Sequence, residues 1–281
     1  MDLLNFTINL TLKSGKILKD NYGSELQVET KTSYRDMVTK VDKESETLLV
    51  NLIKEQFPDH EILGEEGISN SKTTHHKIPS TNYKWIIDPL DGTANYTRNI
   101  PFFAVSIGIE KNEEMIIGVI YNPIANQIFF AEKGKGAFLA WNQAGELESI
   151  EKIQKIAKKM HVSKIPDIKN AVLGTGFIPS NRRHLKENLE LFSYFSENAQ
   201  AIRRMGAASL DLAFVAAGFF DGFWEYDLCP WDVAAGSILI KEAGGRVTNY
   251  DGSKFDLNLC RILATNGLFH EEMIEKLKNR I

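Results

Sequence analysis

Apolar residues recur at helical spacing from residue 2 to about 22, at Leu4, Ile8, Leu12, Ile17 and Leu18, and the run closes on Asn21-Tyr22-Gly23, which suits a C-cap. A second amphipathic helix is predicted from about Lys40 to Gln56, with Val41, Leu48, Leu49, Leu52 and Ile53 on one side, Asp42 in its first turn and Pro58 beyond its end. From Glu61 the period shortens. Ile62-Leu63, Tyr83 to Ile87, Phe102 to Ile109, Met115 to Tyr121 and Gln127 to Ala131 read as strands, and Asn122-Pro123 and Gly134-Lys135-Gly136 mark the turns of antiparallel hairpins. The polar stretch Ile68 to Thr81 is predicted as a loop. Trp141 to Lys159, charged and helix-prone, is predicted as a surface insertion or connector.

Beyond Pro166 strands (Ala171 to Thr175, Ala201 to Met205, Gly222 to Glu225, Arg246 to Thr248, Ile262 to Ala264) alternate with helices (Arg183 to Ser196, Ser209 to Ala217, Asp232 to Glu242, His270 to Lys278). That alternation predicts an α/β unit with a covered sheet. A length of 281 residues fits one large domain or two packed lobes, and the change of texture places an α+β lobe over 1–160 and an α/β lobe over 161–281. Hydrophobic residues make up 43% and charged residues 25%, the balance of a folded globular chain. With 33 basic and 37 acidic residues the net charge is −4, which argues against nucleic acid as a partner. Two cysteines, Cys229 and Cys260, are too few for a disulfide framework and fit a reducing cytoplasm. The opening Met1-Asp2-Leu3-Leu4 lacks the basic start of a secretory signal, and no membrane partner is expected.

The acids that carry chemical information fall in three strings: Gly64-Glu65-Glu66, Asp88-Pro89-Leu90-Asp91-Gly92-Thr93 and Trp231-Asp232. Asp88 ends the apolar run Trp85-Ile86-Ile87, which delivers a carboxylate at the end of a buried strand. Pro89 is expected to stop ladder pairing and, with Gly92, to force a turn in which Asp88 and Asp91 converge. Convergent carboxylates repel one another unless a cation neutralises them, and an all-oxygen set without His or Cys suits Mg²⁺ or Mn²⁺ and not zinc. Backbone N–H groups opening a helical turn from Thr93 to Asn95 can cradle a phosphate. A metal cluster beside an anion hole points to phosphoryl transfer or hydrolysis. Each string alone has a plainer reading: a capped surface turn, a solvated Glu65-Glu66 pair, and a staple plus N-cap at Trp231-Asp232. His75-His76 reads as a solvated pair, Gly174-Thr175-Gly176 as a strand-end turn, and the acids around Cys229 disfavour a thiolate.

Together and in this order, Glu65, Asp88-Pro89-Leu90-Asp91-Gly92-Thr93 and Trp231-Asp232 followed by Gly244-Gly245 closely resemble the inositol monophosphatase superfamily of Mg²⁺-dependent, lithium-sensitive phosphatases. The resemblance covers essentially the whole chain. It also takes in Asp36-Met37-Val38-Thr39-Lys40-Val41-Asp42, Trp85-Ile86-Ile87, Pro101-Phe102, Gly134-Lys135-Gly136-Ala137-Phe138 and Glu242-Ala243-Gly244-Gly245. It implies a layered αβαβα sandwich of the α+β / α/β kind, with the site between the lobes, and a homodimer. It implies up to three Mg²⁺ ions, replaceable by Mn²⁺, with Li⁺ and Ca²⁺ inhibitory. The matching ligands are Glu65, Asp88, the carbonyl of Leu90, Asp91 and Asp232: Asp88 bridges two ions, Glu65 and Leu90 complete the first, Asp91 and Asp232 the second, and a third ion lies near Glu65. Thr93 matches a threonine that pairs with an acid matching Asp42 to orient the attacking water, so Thr93, Asp42 and Glu65 are the implied catalytic set for an in-line displacement without a phosphoenzyme. On the substrate side, Gly92 and Thr93 match phosphate-binding amides. Gly206-Ala207-Ala208 matches a segment lining the polyol ring, and Glu225 and Asp91 match acceptors for its hydroxyls. The plainer reading of Glu225 is a surface acid ending a strand. Arg203-Arg204 reads equally as a phosphate contact, a subunit contact or a solvated pair.

The implied substrate is a small phosphate ester, inositol monophosphate or a similar polyol or sugar phosphate. Related members act on 3'-phosphoadenosine 5'-phosphate, fructose-1,6-bisphosphate or NADP; the first kind place Glu two residues after Asp-Gly-Thr, where this chain has Asn95-Tyr96. A reading of another class is a non-catalytic partner of the RNA synthesis machinery. The pattern departs from the family after Phe138, where Leu139 to Gly145 and a longer charged stretch replace a short asparagine-glycine hairpin.

Overall fold

The computed structural model describes residues 2–24, 28–30, 37–67, 82–142, 147, 149–177, 182–259 and 261–278. Helix α1 (Leu3–Asn21) begins where the Asp2 carboxylate accepts the Asn5 N–H at 2.8 Å. Strands β1 (Val28–Thr30) and β2 (Met37–Thr39) form a small antiparallel pair. Helix α2 (Lys40–Gln56) follows, started by a reciprocal capping box between Thr39 and Asp42. Next come β3 (Glu61–Gly64), β4 (Tyr83–Asp91), the short α3 (Thr93–Thr97), β5 (Ala104–Lys111), β6 (Glu114–Asn122), β7 (Gln127–Glu132), β8 (Gly136–Trp141), α4 (Ile150–Ile156) and β9 (Lys158–Lys159). The seven strands β3 to β9 form one sheet in chain order, antiparallel except for the parallel β3–β4 pair. One face is covered by α1 and α2, which bury Ile8, Leu18, Leu49 and Ile53 against Trp85, Ile87, Val105 and Ile107.

The remaining elements are β10 (Val172–Thr175), α5 (Arg182–Asn198), β11 (Ala201–Arg203), α6 (Ala208–Ala216), β12 (Gly222–Tyr226), α7 (Pro230–Glu242), β13 (Arg246–Thr248), β14 (Arg261–Thr265) and α8 (His270–Leu277). Their sheet has the order β11-β10-β12-β14-β13, with β10 parallel to both neighbours and β14 antiparallel to both of its own. Helices α6 and α7 lie between the two sheets, and α7 is apolar on all sides because both sheets pack on it. The approach to the first sheet is close: a Cβ at Gly118 would lie 2.5 Å from the Ala235 carbonyl oxygen. Helices α5 and α8 cover the outer face of the second sheet. The layers therefore run helix, sheet, helix, sheet, helix, the αβαβα arrangement that the sequence implied.

Two local expectations are corrected. β4 does not stop at Pro89 but runs to Asp91, because a bulge between the pairs Asp88↔Ser106 and Asp91↔Ala104 removes the need for a donor at the proline. The segment after Trp141 is more than a surface connector: Leu147 and Ile153 are buried in the core beneath α1, and β9 adds to the first sheet. The loop from 68 to 81, with His75-His76, lies outside the described residues, as do Asp36 and Cys260.

Candidate active site

The bulged end of β4 and the first turn of α7 meet. Asp88, Asp91 and Asp232 each bring a carboxylate oxygen within 4.8 Å of the others. Asp88 Oδ1 accepts the Leu90 N–H at 2.9 Å, which closes the bulge around Pro89. Asp91 Oδ2 accepts both the N–H of Ser209, at 2.8 Å, and its hydroxyl, at 2.5 Å, so α6 is tied to β4 through this acid. Asp232 Oδ2 accepts the Cys229 N–H at 2.6 Å, and the same bond caps α7. Glu65, just past β3, shares a side-chain hydrogen bond with Asp88. The Thr93 hydroxyl lies 3.1 Å from the Leu90 carbonyl and 3.3 Å from Asp42 Oδ1, while the other oxygen of the fully buried Asp42 is occupied by Thr39.

Burial pushes the Asp88 carboxyl well above its ordinary range, and the neighbouring acids Glu65, Asp91 and Asp232 push it further. Burial likewise raises Asp232, with Asp91 and Glu65 adding and the Cys229 N–H opposing. Asp91 is raised to about 6, again by burial, held back by its two bonds from Ser209. Burial also raises Asp42, against the hydrogen bonds from Thr39. Clustered all-oxygen acids whose carboxyls are raised by burial and by one another fit a hard divalent cation, which would favour their charged forms.

The phosphate and ring sides assemble around Gly92. Its φ of +90° is one that side chains rarely adopt, and a Cβ there would sit 3.1 Å from both Ala207 Cβ and the Phe102 carbonyl oxygen, and 3.3 Å from the Gly206 oxygen. Asn95 spends both amide hydrogens on the carbonyls of Phe102, at 2.7 Å, and Met205, at 2.8 Å, pinning Gly206-Ala207-Ala208 beside the turn. A glutamate at that position could donate neither bond. Glu225 is no surface acid. It is 6% exposed at the end of β12, and Gly176 leaves its carboxylate the room that a Cβ would take. Burial raises Glu225 to about 8, opposed by Arg204 and reinforced by Asp91 and Asp227.

The structure thus gathers Asp42, Glu65, Asp88, Leu90, Asp91, Gly92, Thr93 and Asp232, with Gly206-Ala207-Ala208 and Glu225 on the adjoining side. Asp232 is the third residue of its helix and not the N-cap, which is Cys229. Arg203 is exposed and bonds its neighbour's carbonyl, whereas Arg204 donates to the Phe177 carbonyl at 3.2 Å. Sequence reasoning passed over Ser209, Glu46 and Asp211. A serine opening an apolar helix and an acid one turn after Asp42 were the available signals for the first two. Asp211 is buried near Glu225 and Asp91, and its carboxyl is pushed well up by burial and then by those acids.

Two sheets with helices between and outside them, and acids converging at a strand end beside a glycine-opened turn, define a phosphatase of the layered αβαβα class. The family model described as the inositol monophosphatase family matches residues 2–281, and the chain belongs to that family. It is 39% identical over 277 residues to an inositol-1-monophosphatase of Caulobacter vibrioides, covering 96% of this chain and 99% of that one. It is 33% identical over 275 residues to a fructose-1,6-bisphosphatase/inositol-1-monophosphatase of Thermotoga maritima, covering 98% and 95%. Among solved structures, the extragenic suppressor protein suhB of Bartonella henselae superposes with a TM-score of 0.84 at 33% identity, covering 99% of each chain.

Proposed function

We propose that this chain hydrolyses inositol monophosphate or a similar small polyol or sugar phosphate. The observation that carries the reading is the convergence of two buried aspartates and the half-buried Asp232, from two elements, beside the Thr93–Asp42 pair. Glu65, Asp88, the Leu90 carbonyl, Asp91 and Asp232 would hold Mg²⁺, or Mn²⁺ in its place. When bound, the ions supply a more acidic water and stabilise charge on the phosphoryl and leaving oxygens. Thr93 keeps its hydroxyl proton directed at Leu90 and Asp42 and so offers lone pairs to orient the attacking water. Gly92 and Thr93 amides receive the phosphate. Glu225 and Asp91 face the hydroxyls, and the Gly206-Ala207-Ala208 backbone lines the ring.

The lobes 1–160 and 161–281, a homodimer, inhibition by Li⁺ and excess Ca²⁺ and a cytoplasmic setting belong to the same proposal. Among the described residues no helix is long and apolar enough to cross a membrane. Fructose-1,6-bisphosphate is the second reading, favoured by Arg204, whose charge reaches Glu225. The test is phosphate release from inositol monophosphate, fructose bisphosphate, phosphoadenosine phosphate and NADP, with Mg²⁺ and with EDTA. Mg²⁺-dependent turnover with the largest kcat/KM for the inositol ester supports the proposal. Preference for a bisphosphate overturns the polyol reading, and no turnover of any ester leaves the non-catalytic reading.

A further inference from the structure

One face of α2 reaches two of the site's three acid strings, one of them at two points. Asp42 meets Thr93 at 3.3 Å. Three residues on, Ser45 Oγ lies 3.4 Å from the Pro89 carbonyl oxygen and 2.6 Å from Ser14 Oγ of α1. At the next position Glu46 Oε2 accepts the Glu66 N–H at 2.6 Å. Residues spaced i, i+3 and i+4 lie on one side of a helix, so a single rigid element sets all three distances.

Glu46 is the costly member of the set. It has no exposed surface, and beyond Asp42 and Ser45 the buried face it shares, Val41, Leu49, Val50 and Ile53, is apolar. Burying a carboxylate is expensive unless strong hydrogen bonds answer it, so an apolar residue would serve packing better. Glu46 grips the chain on both sides of Glu65. The Glu66 amide is bonded to it, and at Gly64 a Cβ would lie 2.8 Å from Glu46 Cδ and Oε1, so only glycine lets β3 end flush against the carboxylate.

We propose that Glu46 is a positioning residue for Glu65, holding the Gly64–Glu66 backbone so that the Glu65 carboxylate faces Asp88. This rests on the reading of Glu65 as a ligand for a divalent cation. Glu46→Met keeps the length of the side chain and removes the acceptor; Glu46→Gln keeps an acceptor oxygen. Metal-stripped full-length variants are titrated with Mg²⁺ by calorimetry, each in the wild-type and in the Glu65→Gln background. Loss of an outer residue that orients a metal ligand costs about tenfold in affinity, so Glu46→Met should bind Mg²⁺ about tenfold more weakly and Glu46→Gln within about twofold of wild type. In the Glu65→Gln background Glu46→Met should add nothing. Wild-type affinity in Glu46→Met, or an equal loss in both backgrounds, overturns the proposal. If Glu65→Gln alone leaves Mg²⁺ binding unchanged, the ligand reading of Glu65 fails instead, and with it the basis for this inference. Should Glu46→Met not fold, Glu46→Asp, which withdraws the acceptor by one methylene, carries the same comparison.

Discussion

Glu225 is an acid in a place that opposes its charge, and that makes its role measurable. With its ionisation raised to about 8 by burial, it is protonated at neutral pH and becomes a carboxylate above pH 8. A carboxylate accepts a hydroxyl hydrogen bond more strongly than the neutral acid, so KM for inositol monophosphate should fall as pH rises through 8. Glu225→Gln should give a flat KM, about tenfold above that of the wild type on the alkaline side, as expected from weakening one charge-assisted bond by about 1.4 kcal/mol. A wild-type KM that does not change between pH 7 and 9 would reject that role. Thr93 is tested differently. Its hydroxyl touches Asp42 and the Leu90 carbonyl, so Thr93→Ala should lower kcat about a hundredfold through lost orientation of water while Mg²⁺ affinity by calorimetry stays near wild type. Unchanged kcat would remove Thr93 from the mechanism.

At the scale of elements, two of the strings that carry the family resemblance turn out to be one contact. Glu242 at the end of α7 accepts the Gly134 and Gly136 N–H groups, each at 2.8 Å, and so clamps the β7–β8 turn to the middle layer. Glu242→Ala should cost about 1–2 kcal/mol in denaturant unfolding. His270, buried at the start of α8 between the hydroxyls of Thr248 and Thr265, is lowered to about 4, first by burial and then by Arg246. The unfolded chain takes up this proton near pH 6.5 and the folded one only near 4, so stability is lost as pH falls across that window. His270→Asn should flatten that part of the profile, and an unaltered slope would exclude the histidine as its source. Elements of this kind were legible where a local period or breaker wrote them: α2 follows its apolar period from Val41, with Asp42 in its first turn, to the Pro58 signal at its end. The bulge at Pro89 was not, because a proline forbids a ladder donor only where the register asks for one. Nor were Ser209 and Glu46, whose partners lie 118 and 20 residues away in the chain. A lone serine or acid carries no period to announce such a contact, whereas the site's acids sit in short strings whose spacing is itself the signal.

At the scale of the whole molecule, the acid cluster is where the layers are joined. Asp88 and Asp91 come from the first sheet, Asp232 and Ser209 from the helices between the sheets, and Glu225 from the second sheet. Repulsion there works against the assembly. A carboxyl raised by folding binds its proton more tightly in the native state, so the protein loses stability as pH climbs from the ordinary carboxylate range through the raised value. Asp91 contributes up to about 6 and Glu225 up to about 8. Below pH 6.5 the loss from His270 runs the other way, which leaves pH 6.5–8 as the clean window. In EDTA, Tm should therefore fall as pH rises across that window. A divalent cation that binds only the folded chain should reverse this. Mg²⁺ at a hundred times its Kd adds about 2.7 kcal/mol, a rise of about 4–5 °C for a chain of this size. At a fixed Mg²⁺ concentration the gain should be larger at pH 8 than at pH 6.5, because fewer protons have to be displaced. Asp88→Asn, which removes an acid opposed by Glu65, Asp91 and Asp232, should be more stable than wild type in EDTA at pH 8 and should gain little from Mg²⁺. Scanning calorimetry of both proteins decides it: a wild-type Tm indifferent to Mg²⁺, or an equal Mg²⁺ gain in Asp88→Asn, would show that the cluster is not where the cation binds.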